Sequence, residues 1–144
     1  METQTYANHR RFVPLYHFVL TLLVLLTIGG ALANAYRAYL RDSGRLVAAL
    51  ILLLAVCALL EGAYLRIFAL KAQDRAIRAE ENLRHFALYG SLLDPRLDTR
   101  QIIGLRFASD AEFGPLAQRA AEEILSEDAI KKAIKEWRAD HYRV

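Results

Sequence analysis

The chain has one cysteine in 144 residues, so Cys57 has no intramolecular disulfide partner. Its four histidines (His9, His17, His85 and His141) are scattered, and none has a second at the i, i+4 spacing of a helical metal site. No glycine-rich phosphate loop, no nucleophile elbow and no Cys-His arrangement is present. Ser109-Asp110 could be taken for a nucleophile and its partner, but a helix cap accounts for both residues more simply. The expectation is therefore a chain that is not an enzyme, with no metal and no cofactor. Acidic residues are scarce at first: residues 1–64 hold only Glu2, Asp42 and Glu61 beside five arginines, whereas residues 65–144 hold thirteen Asp/Glu and fourteen Lys/Arg. The first part has the composition of lipid-embedded protein and the second that of an ordinary soluble segment. The overall charge of +3 is thus no sign of nucleic acid, which is not an expected partner.

Long apolar runs supply what the first part lacks in charge. Phe12 to Ala33 contains no Asp, Glu, Lys or Arg, and at about 1.5 Å per residue it spans a hydrocarbon core of about 30 Å. Arg10-Arg11, the apolar run and Ala31-Leu32-Ala33 imitate a signal peptide, but the run is longer than a usual signal core, so a retained first span is expected. Tyr36 to Arg45 reads as a compact connection with Asp42, Ser43 and Gly44 as turn formers. Leu46 to Leu65 supplies a second span with Glu61 as its only charge. Aromatic residues mark the two interfaces, Tyr16 with Tyr64 and Phe68 at one, Tyr36 and Tyr39 at the other. Seven Lys/Arg flank the spans on the side of the termini, against Arg37, Arg41 and Arg45 in the connection, which favours both termini in the cytoplasm.

The second span runs without a Gly-Pro break into charged sequence. Beyond Arg66, Phe68, Ala69, Ala72, Ala76, Ala79, Leu83, Phe86 and Ala87 keep a helical period, with Lys71, Asp74, Arg75, Arg78, Glu81, Asn82 and His85 on the complementary face. One helix is therefore predicted from Leu46 to about Leu88, ended by Gly90-Ser91. A helix is expected from Arg96 to about Ile103. Another starts at a Ser109/Glu112 capping box, with Phe113, Leu116, Ala120, Ile124 and Leu125 inward. A last one is capped by Ser126, with a stripe of Ile130, Ile134, Trp137 and His141. The fold class is then all-α: an N-terminal tail (1–11), a two-helix transmembrane hairpin (12–65, spans about 12–35 and 46–65), and a small cytoplasmic helical domain (66–144) on the extension of the second helix.

Candidate sites follow from this layout. Glu61, an ionisable group near a membrane interface, is a relay candidate or the partner of Arg66 in an interfacial ion pair. Gly29 with Ala33, and Ala58 with Gly62, have the four-residue spacing that lets membrane helices approach closely. Arg75, Arg78 and Trp137 are candidates for docking the tail, and Arg66 and Lys71 for lipid head groups. Phe107, Phe113 and Trp137 are expected anchors of an interface with a protein partner.

The stretches Gln73 to Arg84 (QDRAIRAEENLR) and Leu105 to Glu112 (LRFASDAE), with Asn8 to Arg11 and Ile134 to Val144 (IKEWRADHYRV), give the chain a likeness. It resembles a family of small uncharacterised bacterial inner-membrane proteins with two transmembrane helices and a cytoplasmic helical tail. The resemblance covers essentially the whole length and implies a multi-pass protein of the bacterial inner membrane, without a function or a site residue. Membrane lipid and a protein partner are expected. The leading reading is an accessory or scaffold subunit, bound to a larger membrane complex or to copies of itself. The alternative is a small homo-oligomeric transporter, channel or proton-relay component with Glu61 in the bundle.

Overall fold

The computed structural model describes residues 4–9 and 13–140. Among these residues there are a π-helical segment, Leu15–Leu20, and five α-helices: α1 Thr21–Arg41, α2 Arg45–Tyr89, α3 Thr99–Leu105, α4 Asp110–Glu122 and α5 Glu127–Ala133. The only β-pairing among them is an isolated bridge between Ala108 and Trp137. The chain divides into two compact units, Arg11–Phe68 and a second made of Met1–Arg10 with Ala69–Val144.

In the Arg11–Phe68 unit the usual order of burial is reversed. Ala31 and Ala38 on α1, and Ala48 and Ala55 on α2, are buried, while leucines all around them are exposed. Leu54 is 68% exposed and its neighbour Ala55 only 3%. Large apolar side chains facing outward and small ones facing inward suit a hydrocarbon solvent, in which helices meet by close packing rather than by hiding leucine. Leu15–Arg41 and Arg45–Tyr89 are both long and apolar enough to cross a membrane. The link between them is shorter than expected, because α1 continues through Tyr36 and Tyr39 to Arg41 and leaves only Asp42 to Gly44 outside helix. Asp42 (φ 53°) and Gly44 (φ 71°) both take the left-handed conformation, and Asp42 pairs with Arg45 at 2.6 Å. These backbone angles turn the chain in three residues, so the flanking sequence is free to stay helical.

The first span departs from regular α-helix at its start. The Val13 carbonyl accepts from the N–H of both Tyr16 (3.1 Å) and His17 (2.9 Å), and the His17 ring bonds back to the Val13 backbone. Pro14 supplies no N–H there, and the chain runs on as a wider π-helical turn.

In the other unit, thirteen buried residues from Leu93 to Ile134 form one apolar core, with Phe107, Phe113 and Ile130 fully enclosed. Local signals start its helices. Asp98 and Gln101 form a true capping box on α3, each side chain bonded to the other's backbone N–H, so this helix begins at Thr99 and not at Arg96. The Gln101 amide also donates to the carbonyls of Ala120 (3.1 Å) and Leu125 (3.0 Å), satisfying groups at the end of α4. Ser126 caps α5 through the Ala129 N–H, as expected. At α4 the expected box does not form: Ser109 is the N-cap residue but makes no side-chain cap bond, and Glu112 instead accepts from the N–H groups of Lys135 and Glu136.

Those same bonds end α5 early. The helix stops at Ala133, Ile134 is extended, and the chain then runs beside residues 107–109, with Arg138 N–H on the Phe107 carbonyl (2.7 Å) and Ser109 N–H on the Glu136 carbonyl (3.1 Å). The expected stripe of Ile134, Trp137 and His141 on one helix is therefore replaced by an extended segment, and His141 lies outside the described residues. Ile124 is corrected as well. It follows the α4 C-cap in the left-handed region (φ 51°), with the Leu125 N–H on the Ala120 carbonyl, and is 84% exposed rather than inward.

Residues 4–9 are fastened to this unit. The Gln4 amide accepts from the Asp140 N–H at 2.8 Å and donates to its carbonyl, the Tyr6 hydroxyl donates to Asp128, and the His9 ring lies 5.8 Å from both Phe107 and Trp137.

Gly104 sets the distance between α3 and α5. A β-carbon there would stand 3.1 Å from the Glu127 carbonyl oxygen and 3.2 Å from Ile130 Cγ2. Because the first neighbour is backbone, Gly104→Ala is expected to cost about 1–3 kcal/mol. Denaturant unfolding of the detergent-solubilised chain, followed by the fluorescence of Trp137, checks this; an unchanged midpoint would mean that the two helices can part freely.

Candidate functional site

Two arrangements of polar side chains stand out, one in each unit. In the Arg11–Phe68 unit the π-helical segment and α2 border a crevice of about 580 Å³ whose walls include Tyr16, Leu20, Ala58, Glu61, Gly62 and Arg66. The Tyr16 hydroxyl donates to the Gly62 carbonyl at 2.8 Å. That carbonyl lies on the α2 backbone, and a β-carbon at Gly62 would meet nothing within 4 Å, so the bond does not depend on glycine at that position. Glu61 and Arg66 line the same crevice, yet no ion pair joins them among the described residues; Glu61 is exposed and Arg66 half-buried. Of the small-residue pairs, Ala58 and Gly62 border this crevice, while Gly29 and Ala33 are exposed and nothing lies within 4 Å of a β-carbon built at Gly29. The buried small residues of α1 are Ala31 and Ala38 instead, seven apart. Lys71 is exposed.

In the other unit the tail is fastened to α2 by Arg84. Its guanidinium donates to Asp110 through Nε (2.8 Å) and Nη2 (2.5 Å), to the Ala108 carbonyl through Nη2 (2.8 Å), and to Glu81 through Nη1 (3.0 Å). The guanidinium carbon lies over the Phe113 ring, 4.3 Å from its centroid. A planar fork with five donors can serve three acceptors and a ring face at once, which an ammonium group cannot. Glu81, 6% exposed, is also approached by Arg138 at 3.6 Å. Burial raises the Glu81 carboxyl above its ordinary 4.5, while Arg84 and then Arg138 pull it back down. Beside this cluster the Tyr89 hydroxyl donates to the Asp110 carbonyl and accepts from the Gly114 N–H, both at 3.2 Å.

Docking to the later helices therefore falls to Arg84 and Tyr89. Arg75 and Arg78 are exposed on α2, and no described ion pair uses them. The expected inward stripe of α2 is displaced in the same way. Ile77 and Glu81 are buried, and Leu83 and Phe86 point outward at 68% and 53% exposure. Trp137 is half-buried against Phe107, with ring centroids 5.0 Å apart, and Phe107 and Phe113 are 0% exposed, so both phenylalanines belong to the core and not to a partner surface. The signal for Arg84 was present as the i, i+3 pair Glu81-Arg84, but it resembles any solvated helix face until Asp110 is brought up to it. At a second end of the tail, Arg96 clasps Asp94 and holds its carboxyl down at about 2.

Truncating Arg84 leaves Glu81 buried without its nearest counter-charge. Arg84→Ala is expected to cost about 3–5 kcal/mol, and Arg84→Lys to recover only part of it, in the same Trp137 unfolding assay. A loss below about 1 kcal/mol would place the cluster among ordinary surface pairs. Glu81 adds a pH signature. A carboxyl raised by folding binds protons more readily in the folded chain, so its contribution to stability is fully present below pH 4.5 and is lost as pH rises through the folded value. The stability of the wild type relative to Glu81→Gln is therefore expected to fall as pH rises above 4.5. A flat difference would contradict the burial argument.

Among the described residues no group of three or more His, Cys, Asp or Glu is placed to hold a metal ion. A family described as "Family of unknown function (DUF6526)" matches residues 1–144. No curated protein and no solved structure matches the chain. With the family match running over its full length, the chain belongs to the DUF6526 family of unknown function.

Proposed function

We propose that the chain is a non-catalytic integral protein of the bacterial inner membrane, a two-helix transmembrane hairpin with both termini in the cytoplasm, acting as an accessory or scaffold subunit. The hairpin reading draws support from the reversed burial of the Arg11–Phe68 unit, from the three-residue link at Asp42 to Gly44, and from Tyr16 bonding to Gly62. It also draws support from residues 4–9, which are tied to the same unit as the tail and so share its side of a membrane. Lys/Arg bias around the span ends sets that side as the cytoplasm.

The observation that carries the binding role is Ile124. A β-branched residue in the left-handed region is a conformational outlier costing about 1–2 kcal/mol, and this one is also 84% exposed to solvent. Folding stability and solubility would both favour glycine or a polar residue at that helix end. Strain kept at an exposed apolar position is accounted for when a partner covers it. Ile124 thus takes the anchor role that Phe107 and Phe113, enclosed in the core, cannot fill.

Purification of the full chain from its native membrane in mild detergent tests this. The expected result is a complex larger than one chain, whose partner content falls in Ile124→Gly even though that variant unfolds about 1 kcal/mol later in stability. A lone monomer from wild-type membranes, or an Ile124→Gly variant with its full complement of partner, would overturn the reading.

A further inference from the structure

α2 keeps a second apolar face that its own tail does not use. Ile77, Glu81 and Arg84 turn toward the core of the tail. On another side Ala72, Ala76, Ala79, Leu83 and Phe86 are all exposed, and Ala69, half-buried, begins the same row. The spacing alternates three and four residues from Ala69 to Phe86, the 3.5-residue period of a coiled-coil seam rather than the 3.6 of a helix laid on a globular core. Leu83 and Phe86 are large enough to make their exposure costly, at about 1.5–3 kcal/mol for each such side chain fully buried, and the alanines toward the other end allow close approach.

We propose that this face pairs with the same face of a second copy of the chain, as a parallel two-stranded coiled coil over Ala69 to Phe86. The inference rests on the membrane-subunit reading above and deepens it. The charges flanking the seam select this occupant. Arg75 precedes the seam residue Ala76 on one flank, and Glu80 follows Ala79 on the other, five residues further on. In a parallel pair those two flanking positions of neighbouring helices meet, so Arg75 of each copy faces Glu80 of the other, twice per dimer by symmetry. Both side chains are exposed, and no described ion pair uses either. Copies inserted in one membrane with the same topology also run α2 in the same direction, which an antiparallel pairing could not match. Confinement to the bilayer raises the effective concentration of a seam that would be marginal as a free peptide. Arg75, exposed and in no ion pair among the described residues, thereby gains a partner.

Cysteine cross-linking of the full chain in membranes tests the pairing. Cys57, the single native cysteine, is replaced by serine, and the variants Ala76→Cys, Ala79→Cys and Arg78→Cys are oxidised. Ala76 and Ala79 lie on the seam, whereas Arg78 lies on the opposite flank of the helix. Disulfide-linked dimer is expected at Ala76 and Ala79 with about fivefold the yield at Arg78. Arg75→Glu or Glu80→Arg alone is expected to lower the seam yield about threefold, and the two together to restore it. Equal yields at all three positions, absence of dimer at both seam positions in a chain whose helical content is unchanged, or cross-linking of Ala76→Cys to a different protein would overturn the proposal. Failure of the charge swap to restore the yield would overturn the parallel register. If the seam fails while Ile124-dependent association persists, the dimer is lost and the subunit reading stands; if the seam dimer forms and no other protein associates, the scaffold is a homodimer.

Discussion

Arg84 is the side chain on which the folded tail most depends. It is 10% exposed, and one guanidinium holds the carboxylates of Glu81 and Asp110, the Ala108 carbonyl and the face of Phe113. Each acceptor belongs to a different piece of structure: α2 itself, the start of α4, and the bridge residue that pairs with Trp137. None of these groups is well placed without the others. Glu81 buried alone would be costly, and Ala108 is fully buried with a carbonyl needing a donor. The cluster is thus less a source of net stability than a condition on geometry: this placement of residues 108–113 against α2 leaves neither Glu81 nor Asp110 without a counter-charge.

Around that condition polar and backbone contacts close the tail alongside its apolar core. Gly104 lets α3 reach the Glu127 carbonyl, Gln101 finishes the end of α4, and Glu112 takes the N–H groups that release Lys135 and Glu136 from helix. Residues 4–9 then lie along the extended C-terminal segment through Gln4 and His9. Polar side chains at these points end one element and fasten the next, and this is how helices of only seven residues, such as α3 and α5, persist.

The two units solve opposite problems with the same residue types. Between Arg11 and Phe68, the buried apolar side chains are those of Ala31, Ala38, Ala48 and Ala55, and most leucines are exposed; between Leu93 and Ile134, leucine, isoleucine and phenylalanine are buried. Water drives the second arrangement and would oppose the first, whereas hydrocarbon is indifferent to leucine and leaves close packing to decide. The composition break near Leu65 falls where one order of burial gives way to the other.

The sequence by itself determined the helical class, the two long apolar helices, the end of α2 at Gly90, and the cap at Ser126, because each depends on a short window: apolar run length, a glycine able to take φ of 73°, a serine before an acidic turn. It also determined most of the inner residues of α4, since a 3.6-residue period survives wherever a helix meets a single core. Only the tertiary structure decided which face of α2 is buried, that Arg84 rather than Arg75 or Arg78 holds the tail, that α5 ends at Ala133, and that Ile124 turns outward. An apolar row and a mixed row carrying Ile77, Glu81 and Arg84 compete on α2, and periodicity favours the wrong one; the choice belongs to Asp110 and Phe113, more than twenty residues away. The stripe of Ile134 and Trp137 predicts a helix for the same reason. Its period is local, while the carboxylate and carbonyls that pulled it straight come from Glu112 and Phe107, and contacts of that sequence separation exist only once the chain has folded.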